Sequence, residues 1–131
     1  MTHPRETYGE GSRFEELGGY SRAVRSGAHV AVAGTAPIDE GVPVHAGDVY
    51  AQTLFSLRKA VAAAEILGAR AEDVVRTRVL LAQGADWEGA VRAHAEVFGS
   101  IRPANTTYFV AGFIPDVLVE VELEAIVPGP G

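Results

Sequence analysis

Glu120, Glu122 and Glu124 recur at every second position of the segment Leu118-Val-Glu-Val-Glu-Leu-Glu-Ala-Ile126. In an extended chain alternate residues share a face. The three carboxylates therefore project together, with Leu118 and Ile126, while Val119, Val121, Leu123, Ala125 and Val127 form the row suited to packing. The segment Val74-Val-Arg-Thr-Arg-Val-Leu-Leu81 has a similar build. Its alternation puts Arg76 and Arg78 with Val74 and Leu80 on one face, and Val75, Thr77, Val79 and Leu81 on the other. If the two strands adjoin, acids and guanidiniums can pair across them, an arrangement that makes sense at a partly buried interface. The apolar residues scattered among these charges fit a face half-covered by a second subunit better than one open to water.

Other chemistries are poorly served. Without cysteine there is no disulfide, thiol nucleophile or thiolate metal site. Of the histidines, His3 lies at the terminus, His29 at a strand start, His45 in a loop and His94 on a helix. None has metal-ligand spacing, and each reads as a surface residue. No metal and no cofactor are expected. Gly9, Gly11, Gly18 and Gly19 follow no strand, so they form no phosphate loop. A net charge of −6 with Lys59 as the only lysine argues against nucleic acid, whose binding needs clustered cations.

A chain of 131 residues, 47% hydrophobic, fits one domain over 1–131. About residues 1–12 and the Pro-Gly-Pro-Gly stretch 128–131 are expected to be flexible. The polar start Met-Thr-His-Pro-Arg-Glu does not read as a signal peptide, and no apolar stretch is long enough to span a membrane, so a cytoplasmic location is the default. His29–Ala33 predicts a strand, Asp39-Glu40-Gly41 a turn, and Asp48 the N-cap of a helix over about 49–67 that ends at Gly68. Leu54, Leu57, Val61 and Ala64 form its core stripe. Asp86 predicts a second N-cap, followed by the stripe Trp87, Val91, Ala95 and Phe98 and a stop at Gly99. Strands over about 106–111 and 117–127 complete an α+β, two-layer sandwich with two helices on one face of the sheet.

Gly19-Tyr-Ser-Arg-Ala-Val24, Val32-Ala-Gly-Thr35, Ala51-Gln-Thr53, Glu72–Arg78, Phe98-Gly99, Arg102-Pro-Ala104 and Leu118–Glu122 occur in the order and spacing of the Rid (YjgF/L-PSP) family, which the chain resembles over about residues 19–127. The resemblance implies a chorismate-mutase-like fold with a mixed sheet. It also implies a homotrimer whose sheets face the central axis, with a small-molecule cleft at each subunit boundary. The family's RidA proteins hydrolyse 2-imino and 2-enamino acids and hold the substrate carboxylate with an arginine just after the Pro-Ala pair. Asn105 occupies that position here and brings no charge. By the same resemblance Ala33, Val91 and Thr107 are cleft positions that depart from the usual residues. Tyr20 and Glu120 match, Glu120 as the group that positions or activates the attacking water.

Glu120 and Tyr20 are thus the candidate catalytic residues, and Asn105, Thr107, Ala33 and Val91 the candidate ligand contacts. For Glu120 an interface ion pair is the competing role; burial would raise its pKa and Arg76 or Arg78 would lower it, and the sequence leaves the sign open. Tyr108, Phe109 and Phe113 could wall the cleft, with sheet core as the simpler assignment. The functional expectation is a deaminase or hydrolase of imine- or enamine-type substrates, inefficient on 2-iminobutyrate and 2-aminoacrylate. A non-catalytic sensor or partner-binding trimer is the alternative.

Overall fold

A computed structural model describes residues 4–129. In chain order its elements are β1 (Arg5–Tyr8), α1 (Arg13–Gly18), β2 (Ala23–Ser26), β3 (His29–Thr35), β4 (Ile38–Asp39), β5 (Val42–Pro43), α2 (Val49–Ile66), a 3₁₀ turn at Ala71–Asp73, β6 (Val74–Ala82), α3 (Trp87–Phe98), β7 (Ala104–Val110) and β8 (Val119–Ile126). Six strands form one sheet in the order β1-β2-β3-β8-β6-β7, while β4 and β5 make a separate hairpin. All neighbours in the sheet are antiparallel except β6 and β7, which run parallel because α3 carries the chain back between them. The result is the expected α+β architecture with a mixed sheet.

The expected caps are present. Asp48 accepts the Ala51 amide at 3.0 Å and Asp86 the Gly89 amide at 3.1 Å, each satisfying an orphan donor of a first turn. Gly68, at φ +95°, ends α2 in a conformation that a side chain would strain. The two-residue turn at Glu40-Gly41 links β4 to β5. The core lies between α2 and the sheet. Leu57, Ala60 and Ala64 meet Val30, Val32, Val119, Val121 and Leu123, all nearly or wholly buried. Each such valine or leucine contributes about 1.5–3 kcal/mol relative to exposure.

Gln52 is the buried polar member of α2. Its Nε2 donates to the Val44 carbonyl at 3.0 Å and its Oε1 accepts the Leu118 amide at 2.9 Å. One side chain therefore ties the loop before α2 to the chain entering β8. Unpaired buried backbone groups are costly, so this bridge lets both approach the core.

Several sequence expectations are corrected. Residues 5–12 were expected to be flexible, but Arg5–Tyr8 pairs with β2 in register Arg5↔Ser26 to Tyr8↔Ala23. Beyond it Ser12-Arg-Phe-Glu15 is a complete capping box for α1: the Ser12 hydroxyl accepts the Glu15 amide and the Glu15 carboxylate accepts the Ser12 amide. Residues 1–3 and 130–131 of the two expected flexible segments lie outside the described residues. On α2, Leu57 and Ala64 are buried, but Leu54 and Val61 are only partly so. The inward face also includes Gln52, Thr53 and Ser56.

The largest correction concerns α3, whose inward residues are Gly89, Ala90, Ala93 and Phe98. Trp87 and Val91 are 54% and 47% exposed, because α3 packs on α2 through its small residues. In β6 a bulge between Val74 and Arg76 inverts the first residues, so Val74 is buried and Val75 exposed.

Candidate functional site

Glu120 lies on the face of β8 turned away from the helices, opposite Leu80 of β6. On the other side of β8 the ladder with β3 slips between Val32 and Thr35, a bulge that places Ala33 and Gly34 beside the glutamate. A β-carbon on Gly34 would stand 3.0 Å from Glu120 Oε1. The glycine is what lets the carboxylate lie against the backbone.

Beneath this bulge Arg22 donates from Nη2 to the Gly34 carbonyl at 2.7 Å, and its own carbonyl accepts the Ala33 amide at 2.9 Å. Glu120 is pushed above the usual carboxylate range. Burial is the main cause, the Arg22 charge opposes it, and the neighbouring Glu122 charge adds to it. The sign left open by sequence is thus upward, and the opposing cation is Arg22 rather than Arg76 or Arg78.

The remaining acids of this face are paired. Arg78 Nη1 stands 3.3 Å from Glu122 Oε1 and 3.6 Å from Glu124 Oε1, and Glu124 Oε2 is 3.6 Å from His29 Nε2. The expected acid–guanidinium pairing between β6 and β8 is therefore present. Tyr20, half-exposed just after α1, lines an open groove with Ser21, Ala31, Ala33, Arg78 and Glu122. Glu120 is the next outward residue along β8 from Glu122. Tyr20, Ala33 and Glu120 thus share one face of the sheet.

Asn105, Thr107 and Val91 do not join them. Asn105 and Thr107 stand level with Thr77 and Val79 in the β6–β7 ladder, in the row that faces the helices. Asn105 Nδ2 donates to Thr77 Oγ1 at 3.1 Å, and Thr107 Oγ1 donates to Asn105 Oδ1 at 2.9 Å. Thr77 is fully buried, and its hydroxyl lies 2.8 Å from Nε2 of His94 on α3. His94 is therefore not the surface residue expected: it is half-buried, packs on Phe98 with ring centroids 5.0 Å apart, and its pKa is lowered by burial. Val91 is one turn earlier on the same helix. Tyr108 and Phe109 of the edge strand β7 are 45% and 48% exposed, so they are not sheet core.

Sequence reasoning missed Arg22, Gly34, Thr77 and His94. Thr77 had a signal, as the one polar residue in an otherwise apolar inward row. Among the described residues no three His, Asp or Glu side chains converge as a metal would require, and no helix is long and apolar enough to cross a membrane.

The fold is a two-layer α+β sheet with an acid held against a glycine bulge on one face and a line of hydrogen-bonded side chains at the edge of the other. Residues 10–127 match the family model described as Endoribonuclease L-PSP, and the chain belongs to that YjgF/L-PSP family. It is 45% identical over 116 residues to an uncharacterised protein of Streptomyces coelicolor, covering 88% of this chain and 87% of that protein. It is 32% identical over 114 residues to a 2-iminobutanoate/2-iminopropanoate deaminase of Salmonella typhimurium, covering 84% and 88%. Its structure matches a YjgF-family member from Mycobacterium tuberculosis with a TM-score of 0.85 at 39% identity, covering 95% of this chain and all of that one.

Proposed function

We propose that the protein is a homotrimer that binds a small molecule in three inter-subunit clefts and hydrolyses an imine- or enamine-type substrate there. One observation carries the reading: the candidate residues fall into two groups on opposite faces of one sheet. Tyr20, Ala33 and Glu120 are on one face, and Asn105 and Thr107 on the other. A single cleft holding both groups has to be assembled from two chains. The deaminase-named relative adds support for the reaction class.

In that cleft Glu120 accepts a proton from the attacking water, and Tyr20 hydrogen-bonds the ligand. A carboxylate with a raised pKa is a stronger base once ionised, and enclosure strengthens its hydrogen bonds. Because Asn105 offers no charge, a substrate carboxylate loses its ion pair. Removing one partner of such a pair typically costs about 2–5 kcal/mol, a factor of about 30 to several thousand in rate.

The test is an ammonia-release assay on 2-iminobutyrate, 2-aminoacrylate and imines lacking a free carboxylate, with Glu120→Gln as control. Turnover of the carboxylate-free imines, lost in Glu120→Gln, is expected. Rapid hydrolysis of 2-iminobutyrate would contradict the reading of Asn105. Absence of turnover with every imine, together with altered ligand affinity in Glu120→Gln, would establish a non-catalytic sensor instead. Ribonuclease activity is not proposed, because the net charge of −6 offers no phosphate track; RNA degradation by cleared, metal-free protein would overturn that.

A further inference from the structure

Four side chains form one hydrogen-bonded line from the sheet edge into the helix layer: Thr107, Asn105, Thr77 and His94. Its direction follows from what each group can do. The Thr107 hydroxyl gives its only proton to Asn105 Oδ1, and Asn105 Nδ2 gives one of its two protons to Thr77 Oγ1. Fully buried, Thr77 has the ring nitrogen of His94 as its described partner for its own proton. When Thr77 gives its proton to His94, Nε2 is the acceptor and the imidazole is neutral with its proton on Nδ1.

This direction determines what the edge shows to a ligand. The Thr107 oxygen has only lone pairs left, Asn105 Oδ1 has one lone pair, and Asn105 Nδ2 has one N–H. We infer that the Thr107–Asn105–Thr77–His94 chain selects a neutral ligand that donates an N–H to Thr107 and accepts from Asn105 Nδ2, as an amide or imine edge does, and rejects a carboxylate. A carboxylate could place one oxygen on the Asn105 N–H, but its other oxygen would meet the Thr107 lone pairs where it needs a donor. The inference rests on the proposed cleft and adds to it the class of group bound at the Asn105 side. Thr77 and His94 act as positioning residues behind Asn105.

The line has a second self-consistent direction. Protonated His94 must donate from Nε2, so Thr77 turns its proton to Asn105. The amide then flips to put its oxygen towards Thr77, and the Thr107 hydroxyl is released to donate to the ligand. Burial, the one cause of the lowered pKa, disfavours the protonated form of His94. Of the charged groups around α3, Glu88 and Arg102 are exposed, and the others are engaged elsewhere. Arg58 pairs with Glu96, Tyr50 donates to Glu96, Arg92 stacks on Tyr50, and Arg78 of β6 pairs with Glu122 on the opposite face. Arg76 also belongs to that opposite face.

Asn105 is the only asparagine, so its side-chain amide is a unique reporter once the protein is labelled with ¹⁵N-asparagine. Titration of the full-length protein with propanamide and with propanoate at pH 8 compares matched amide and carboxylate probes. Propanamide is expected to shift the Asn105 side-chain signals and to bind at least tenfold more tightly than propanoate. The preference should shrink as His94 is protonated. It should be lost at pH 8 in Thr77→Val and kept in Thr77→Ser, which retains the hydroxyl. Equal or tighter propanoate binding at pH 8, or a Thr77→Val variant with wild-type preference and wild-type pH response, would overturn the inference. A second, uniformly ¹⁵N-labelled sample gives the backbone signals of Val119–Val121, which report the Glu120 side separately. If the probes move those signals without discriminating at Asn105, this inference alone fails. If they move neither region, the proposed cleft fails with it.

Discussion

Replacing Gln52 by leucine keeps most of the side-chain volume and removes two hydrogen bonds at once. The Val44 carbonyl and the Leu118 amide, now bonded at 3.0 and 2.9 Å, would be left without these partners beside a fully buried side chain. Each orphaned group costs about 1–3 kcal/mol. Leucine recovers part of this because its burial is more favourable, which leaves a net loss of about 1–5 kcal/mol. That is a large share of the roughly 5–15 kcal/mol typical of a folded protein. Urea unfolding of Gln52→Leu and the wild type at matched chain concentration measures it, with the exposed Gln83→Leu as a control expected to stay within about 0.5 kcal/mol. A loss below about 1 kcal/mol for Gln52→Leu would refute the reasoning that this bridge satisfies both segments.

Gly34→Ala would press a methyl against Glu120 Oε1. Small misplacements of a catalytic group cost up to about 100-fold per ångström, so kcat should fall by roughly 3- to 10-fold while thermal stability is unchanged or slightly higher; unchanged kcat would contradict the role given to the bulge. Glu120 acts when ionised and its pKa is raised, so kcat/KM should climb with pH through a value above the usual carboxylate range, and a limb at the ordinary value of about 4.3 would contradict its burial. His94 has a lowered folded pKa. Its contribution is intact above the unfolded value of about 6.5 and is lost as pH falls through the folded pKa. Urea midpoints measured across that range should drop, and His94→Gln should flatten the drop. Asp48→Ala removes the α2 cap and should cost about 1 kcal/mol in the same assay; no loss would show the cap to be idle.

Much of the fold was legible because its signals are local. Asp48, Asp86 and Gly68 marked helix ends by chemistry that needs no knowledge of the rest of the molecule. The alternation in Val119–Ile126 gave the two faces of β8 directly. Arg5–Tyr8 escaped notice because a short, polar edge strand owes its form to backbone pairing rather than to an apolar pattern. The α3 stripe was misassigned for a related reason. Period alone cannot tell an apolar row that packs inward from one that remains outward, and here small residues take the inward side. Val75 was misplaced because a bulge breaks the alternation on which the reading depends.

The candidate site was legible in its residue types and not in its electrostatics. The strand pattern offered Glu120, Glu122 and Glu124 alike and the family resemblance singled out Glu120, but the cation that opposes its burial, Arg22, is 98 positions away in sequence and reaches it only through the sheet. The line from Asn105 to His94 likewise joins β7, β6 and α3, and no spacing pattern announces it.

The absence of cysteine allows the two half-sites to be tied chemically. Ala33 lies on the Glu120 face and Thr107 on the other, so a chain carrying Ala33→Cys and Thr107→Cys can join the two thiols only through another copy if the cleft is shared. Treated in dilute solution with a short bifunctional maleimide and run on a denaturing gel, the double variant should form a covalent species of three chains, and neither single variant should. A double variant that stays at the mass of one chain would contradict the account.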